Sequence, residues 1–146
     1  MKIKPGVGID NLKFGMTEEQ IFDLVGTPTT IVVDKDDEDK NLVYQYNELK
    51  LRLTFYREYG LKFGYVRTSN PKITLNNKAI IGIPINDAIK IFEINEDYWN
   101  EEQYFTFNSY FNEKMWTTLN VEYGVVTDIE FGYLFDEKGE KPYWPE

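Results

Sequence analysis

The 146-residue chain contains no cysteine and no histidine. The first absence excludes a disulfide framework, a thiol nucleophile and cysteine metal sites. The second removes imidazole acid–base chemistry, the Ser-His-Asp triad and the usual zinc ligands. An enzyme made from this chain has only carboxylates, lysines and tyrosines to work with, so the composition points to a binding protein, not an enzyme, and to no cofactor or metal. Long apolar runs are missing as well: no stretch approaches the roughly 18 residues of a membrane-spanning helix. Basic residues are scarce, 16 against 25 acidic ones, for a net charge of −9. Such a chain is repelled by phosphate backbones and anionic lipid, so neither nucleic acid nor a membrane is an expected partner. The opening Met-Lys-Ile-Lys-Pro-Gly-Val-Gly has lysines but no apolar core behind them, which reads as no secretory signal and a cytoplasmic location.

Aromatic residues are plentiful at 16%, with 11 tyrosines. The excess acid is unevenly spread. Residues 1–92 hold 13 basic and 12 acidic residues, a net of +1, whereas residues 93–146 hold 3 and 13, a net of −10. Solubility alone accounts for such a bias. An acidic surface that steers a cationic partner accounts for it as well. A second, local cluster runs through Asp34, Asp36, Asp37, Glu38 and Asp39. It has no helix or strand pattern and reads as a solvated loop.

A pattern recurs at an offset of 67–68 residues. In its first copy Thr17 and Gln20 form a capping box, Ile21, Leu24 and Val25 fall on one helical face, and Gly26 with Pro28 stops the helix. In its second, Pro84 suits a first turn and Ala88, Ile91 and Phe92 repeat the spacing. An acidic irregular stretch follows each helix, 34–40 and then 93–102. Three strand-like runs come next, 42–46, 49–58 and 61–68 in one copy and 103–111, 114–122 and 125–135 in the other. Phe63-Gly64-Tyr65-Val66 matches Phe131-Gly132-Tyr133-Leu134. The expected fold is α+β: two tandem helix-plus-antiparallel-sheet repeats, 1–73 and 74–146, in one compact unit, with the helices covering one sheet face and the two sheets either separate or joined into one.

Strand alternation assigns faces. Leu51, Leu53, Phe63, Leu119, Val121, Ile129 and Phe131 are expected inside, together with Phe105, Phe107 and Phe111. Tyr104, Tyr110, Trp116, Glu122, Val126, Asp128 and Glu130 are expected outside. Exposed aromatics within an acidic field have the composition of an interaction surface, although strands favour aromatics in any case. The candidate partner-binding residues are therefore Tyr104, Tyr110 and Trp116 as anchors and Glu96, Asp97, Glu101, Glu102, Glu122, Asp128 and Glu130 as the field. Asp34, Asp36, Asp37, Glu38 and Asp39 form a secondary candidate.

The run Leu12-Lys13-Phe14-Gly15-Met16-Thr17-Glu18-Glu19-Gln20-Ile21, closed by Leu24-Val25-Gly26-Thr27-Pro28, resembles a known opening. It is similar to the F/L-G-M-T/S-x-x-x-V…L-G-x-P opening of small helix-plus-sheet proteins. Among these are SmpA/OmlA-type assembly lipoproteins, tandem-repeat beta-lactamase inhibitory proteins and immunity proteins of bacterial polymorphic toxin systems. The chain lacks the lipidated cysteine of the first group. The resemblance to the other two implies an exposed sheet face gripping a partner protein, with no catalytic residues. The expected function is that of a cytoplasmic immunity protein that occludes a cognate, basic toxin domain. The alternative is a non-enzymatic adaptor or an inhibitor of another enzyme.

Overall fold

The computed structural model describes residues 1–94 and 96–146. Local signals set the two α-helices found among the described residues. Thr17 Oγ1 accepts the Gln20 N–H at 3.2 Å while Gln20 Oε1 accepts the Thr17 N–H at 2.9 Å, and helix α1, Glu18–Val25, starts from that box and ends at Gly26. Helix α2, Ile85–Ile91, starts after Pro84.

The remaining elements are mostly strands. We number those of the main sheet β1 (Thr30–Val33), β2 (Leu42–Tyr46), β3 (Leu51–Tyr56), β4 (Lys62–Thr68), β5 (Trp99–Gln103), β6 (Asn108–Asn112), β7 (Thr117–Glu122) and β8 (Val125–Gly132). They form one eight-stranded sheet in the order β5-β6-β7-β8-β4-β3-β2-β1. Every pairing in it is antiparallel. The join between the two meanders is β8 against β4, with Ile129 opposite Thr68, Glu130 opposite Arg67, Phe131 opposite Val66 and Gly132 opposite Tyr65.

This corrects the expected fold class. The strands do not close into two separate helix-plus-sheet repeats, and the helices do not cover a sheet face. Two half-sheets ending at β4 and β8 would each expose a row of unpaired backbone groups, and pairing the two edges satisfies both. Helix α1 is too short to roof a sheet. It buries only Ile21, while Phe22 and Leu24, the latter expected inside, are exposed. Non-helical chain supplies much of the cover: Ile3, Ile9, Leu12 and Phe14 from the N-terminal segment, and Ile73, Leu75 and Ile80 between β4 and α2, join Ile85, Ala88 and Ile89 of α2 in one apolar cluster. Phe14 links the two meanders directly, its ring 5.0 Å from Phe63 and 5.8 Å from Phe131.

Two strands fall wholly or mostly outside the six strand-like runs of the sequence. β1 follows α1 with no alternation to announce it, and all four of its residues are exposed. β5, Trp-Asn-Glu-Glu-Gln, falls in the stretch read as irregular. Both are edge strands, held by backbone bonds to one neighbour, so their side chains need no period-2 pattern. The two acids of β5 also blunt its free edge.

All seven residues expected at the centre of the core are buried. Elsewhere bulges reverse the parity. In β8 the register shifts so that Asn120 faces Asp128 while Val121 faces Val126. Thr127 is the extra residue, and Val126, expected outside, turns inward and is buried. A matching shift sets Thr54 opposite Tyr65 and Phe55 opposite Phe63, leaving Gly64 as the extra residue of β4.

Phe131→Ala should destabilise the protein by about 3–5 kcal/mol in urea unfolding. Phe105, which is 104% exposed, should cost less than about 0.5 kcal/mol when truncated in the same way.

Candidate functional site

The face of the sheet away from the core is ordered by one transverse row. Registers across the strands line up Thr30, Gln45, Arg52, Arg67, Glu130, Thr118, Phe111 and Asn100, from β1 to β5. Its β1–β4 half is basic and its β5–β8 half acidic and aromatic.

Over the second half lies an open groove of about 570 Å³, whose walls include Tyr104, Phe107, Phe111, Asn120, Glu102 and Glu130. Tyr104 stacks on Phe107, ring centroids 4.8 Å apart at 17°, and its hydroxyl donates to Glu102 Oε2 at 2.5 Å. That bond and the Glu102 charge raise the Tyr104 hydroxyl above its ordinary pKa. Trp116 sits in the β6–β7 turn with φ 48°. It is 41% exposed and meets Phe111 edge-on at 5.3 Å.

The expected anchors divide. Tyr104 and Trp116 lie on this face. Tyr110 does not: it stands opposite the buried Leu119 and packs against the core. Phe107 and Phe111, expected inside, take its place on the groove. The chain reverses at residues 104–107, where the Tyr104 N–H reaches the Phe107 carbonyl at 2.8 Å. The run 103–111 is thus two strands and a turn, not one alternating strand, and a parity counted through the turn comes out inverted. Phe105 projects into solvent at the turn tip. Sequence reasoning missed Phe107 and Phe111. No Gly or Pro marks the turn at 104–107, so nothing in the composition of the run 103–111 announces it.

The carboxylates divide as well. Asp128 Oδ2 receives Arg67 Nη2 at 2.9 Å, and Asp128 Oδ1 receives Asn120 Nδ2. Glu130 accepts from Tyr65 Oη at 3.0 Å and from Asn120 Nδ2 at 2.7 Å, and Ser109 Oγ donates to Asn120 Oδ1 at 2.7 Å. These two acids are committed to a network that ties β8 to β4 and β7. Glu101 and Glu102 lie on β5, Glu122 at the end of β7, and Glu96 and Asp97 in a single 3-10 turn, Glu96–Tyr98; all five are exposed. Lys114, one of the few basic groups of this region, lies 3.7 Å from the centre of the Tyr98 ring.

The secondary candidate is partly internal. Asp34 Oδ1 caps the Asp36 N–H at 3.1 Å and Asp37 Oδ1 the Asp39 N–H at 3.0 Å; Asp37 Oδ2 also receives the Asn41 side-chain amide. The first two are Asx turns, in which an aspartate holds its own loop. Asp36, Glu38 and Asp39 remain exposed. Among the described residues no group of three or more His, Cys, Asp or Glu is placed to hold a metal ion, and no helix is long and apolar enough to cross a membrane.

The repeated Phe-Gly-Tyr supplies flat ground for aromatic rings. A Cβ on Gly64 would meet the Tyr56 ring at 2.6 Å and Tyr133 at 2.9 Å. One on Gly132 would meet Tyr65 at 2.8 Å, the Gly64 carbonyl oxygen at 3.1 Å and Trp116 at 3.1 Å. The rings of Tyr65 and Trp116 occupy the space a side chain would need. Gly132→Ala should therefore destabilise by about 1–3 kcal/mol in urea unfolding, because the Gly64 carbonyl is backbone and yields little.

Burial first, then the Glu130 charge and hydrogen bond, push the Tyr65 hydroxyl well above its ordinary 10.0. The folded state then keeps a proton that the unfolded chain releases. This contribution to stability is complete below pH 10.0 and is lost as pH rises from there through the raised folded value. Thermal midpoints measured from pH about 8 to about 11 should fall less steeply for Tyr65→Phe than for the parent.

No protein-family model matches the chain, and no curated protein does. Among solved structures it is similar to an extracellular protein containing a SCP domain from Bacillus anthracis, with a TM-score of 0.53 and 12% identity. The alignment covers 94% of this chain and 51% of the other, so the chain spans about half that protein's length. At that identity the likeness concerns the fold alone.

Proposed function

We propose that the chain is a protein-binding module that covers and neutralises a basic partner domain, as an immunity protein does for its cognate toxin in the cytoplasm, with no catalysis or cofactor of its own. The observation that carries this reading is the groove over β5–β8. The exposed rings of Tyr104 and Trp116 and the half-buried rings of Phe107 and Phe111 lie beside a strand edge rich in acid, Glu101 and Glu102.

The two kinds of group have different effects. Large, rigid aromatic rings lose little conformational entropy on burial and act as anchors. Rim carboxylates raise the encounter rate with a cationic surface and add little to the bound state. Asp128 and Glu130 belong to neither class: their hydrogen bonds hold the floor on which the anchors rest. The residues that carry binding are therefore Tyr104, Phe107, Phe111 and Trp116 for affinity, with Glu101, Glu102 and Glu122 for steering.

The test is a binding titration, at two salt concentrations, against a basic toxin domain encoded beside this chain's gene. Phe111→Ala and Trp116→Ala should each weaken binding by about 30-fold, equivalent to about 2 kcal/mol, through a faster off-rate. Charge reversal at Glu101 and Glu102 should slow association and flatten its salt dependence. An acidic partner, or parent-like binding by all three variants, overturns the assignment.

A further inference from the structure

The β1–β4 half of the outer face carries a charge opposite to that of the chain. Arg52 on β3 stands directly opposite Arg67 on β4. Like charges at opposed positions of an antiparallel pair, their Cβ atoms about 4.5–5.5 Å apart, are destabilising. Lys50, in the turn before β3 with φ 51°, is exposed and lines the same cavity. The three cations line one open cavity of about 390 Å³ together with Asn47, Ser69 and Asp128. Among the described residues Asp128 is the one carboxylate in that wall, and both its oxygens are already taken, by Arg67 and by Asn120. Three cations against one carboxylate leave the cavity at +2 in a protein of net charge −9. Neither the Arg52 nor the Lys50 side chain has a hydrogen bond or ion pair among the described residues.

A folded chain with this much acid to spare has every means of neutralising a cationic cluster from within. Lys50 and Arg52 are left without a carboxylate, while Arg67 receives one that fixes its guanidinium against the cavity wall. We propose that this cavity is an oxyanion site, which takes a phosphate or carboxylate group between Arg52, Lys50 and the free edge of Arg67. A guanidinium presents paired N–H donors that match two oxygens of such a group, and an ammonium adds a point charge beside it. The ligand removes the Arg52–Arg67 repulsion on binding. The site adjoins the aromatic groove, with Arg67 in the wall of both, but it does not rest on the reading given above.

The experiment is a ¹H–¹⁵N NMR titration of the full chain at low ionic strength, with inorganic phosphate in one arm and acetate in the other. The parent and the K50Q/R52Q double variant are compared. Saturable shifts confined to the amides around 47–52 and 67–69, with affinity at least about 10-fold weaker in the double variant, are expected. A response to phosphate alone identifies a phosphate site, one to acetate alone a carboxylate site, and one to both a general oxyanion site. Both substituted residues are exposed, so the variant keeps the fold, read from unchanged shifts at 117–122. No saturable shift with either anion, or equal affinity in parent and double variant, overturns the proposal.

Discussion

The antiparallel join of β4 to β8 is the constraint on which the rest of the molecule depends. It converts two four-strand meanders into one sheet and leaves only β1 and β5 as edges. On the inner side the join sets Val66 against Phe131, and Phe14 bridges the rings of Phe63 and Phe131, so the apolar cluster passes through it without interruption. On the outer side it sets Arg67 beside Glu130 and Tyr65 over Gly132. A surface ion pair such as Arg67–Asp128 contributes at most about 1 kcal/mol by itself. Backbone pairing and apolar burial hold the join, and the polar network fixes its register.

That network decides which charges a partner can meet. Asn120 reaches Asp128 and Glu130, Tyr65 reaches Glu130, and Arg67 reaches Asp128. Two carboxylates that in sequence belong to the strongly acidic third of the chain are thereby spent within the sheet. The negative potential that remains comes from the strand edge and turns. Across the join, Arg52 and Lys50 have no such partners among the described residues. One continuous face therefore has a basic half and an acidic, aromatic half, although the chain as a whole is acidic.

The same join gives the aromatic residues their geometry. Gly64 and Gly132 remove side chains from the middle of the outer face, and Tyr56, Tyr65, Tyr133 and Trp116 lie against the bare backbone. Tyr56, Tyr59, Tyr133 and Trp144 continue as a chain of edge-on and tilted contacts at 5.2–6.3 Å. Such packing fixes the orientation of these rings without closing the face.

Features that depend on neighbours a few residues apart were legible in the chain. The Thr17–Gln20 box set the start of α1, Pro84 that of α2, and the uninterrupted alternation of Leu51-Arg52-Leu53 and Leu119-Asn120-Val121 set the buried side of β3 and β7. The other features depend on long-range contacts. The merger of the meanders depends on contacts such as Tyr65–Glu130, 65 residues apart, which no local pattern encodes. The edge strands β1 and β5 take their conformation from a neighbour's backbone. The bulge at Thr127 and the reversal at 104–107 each shift the chain's parity, moving Val126 and Tyr110 to the inside and bringing Phe107 and Phe111 to the groove. A side chain's face is set by counting from the last fixed pairing, and only the folded sheet shows where that count restarts.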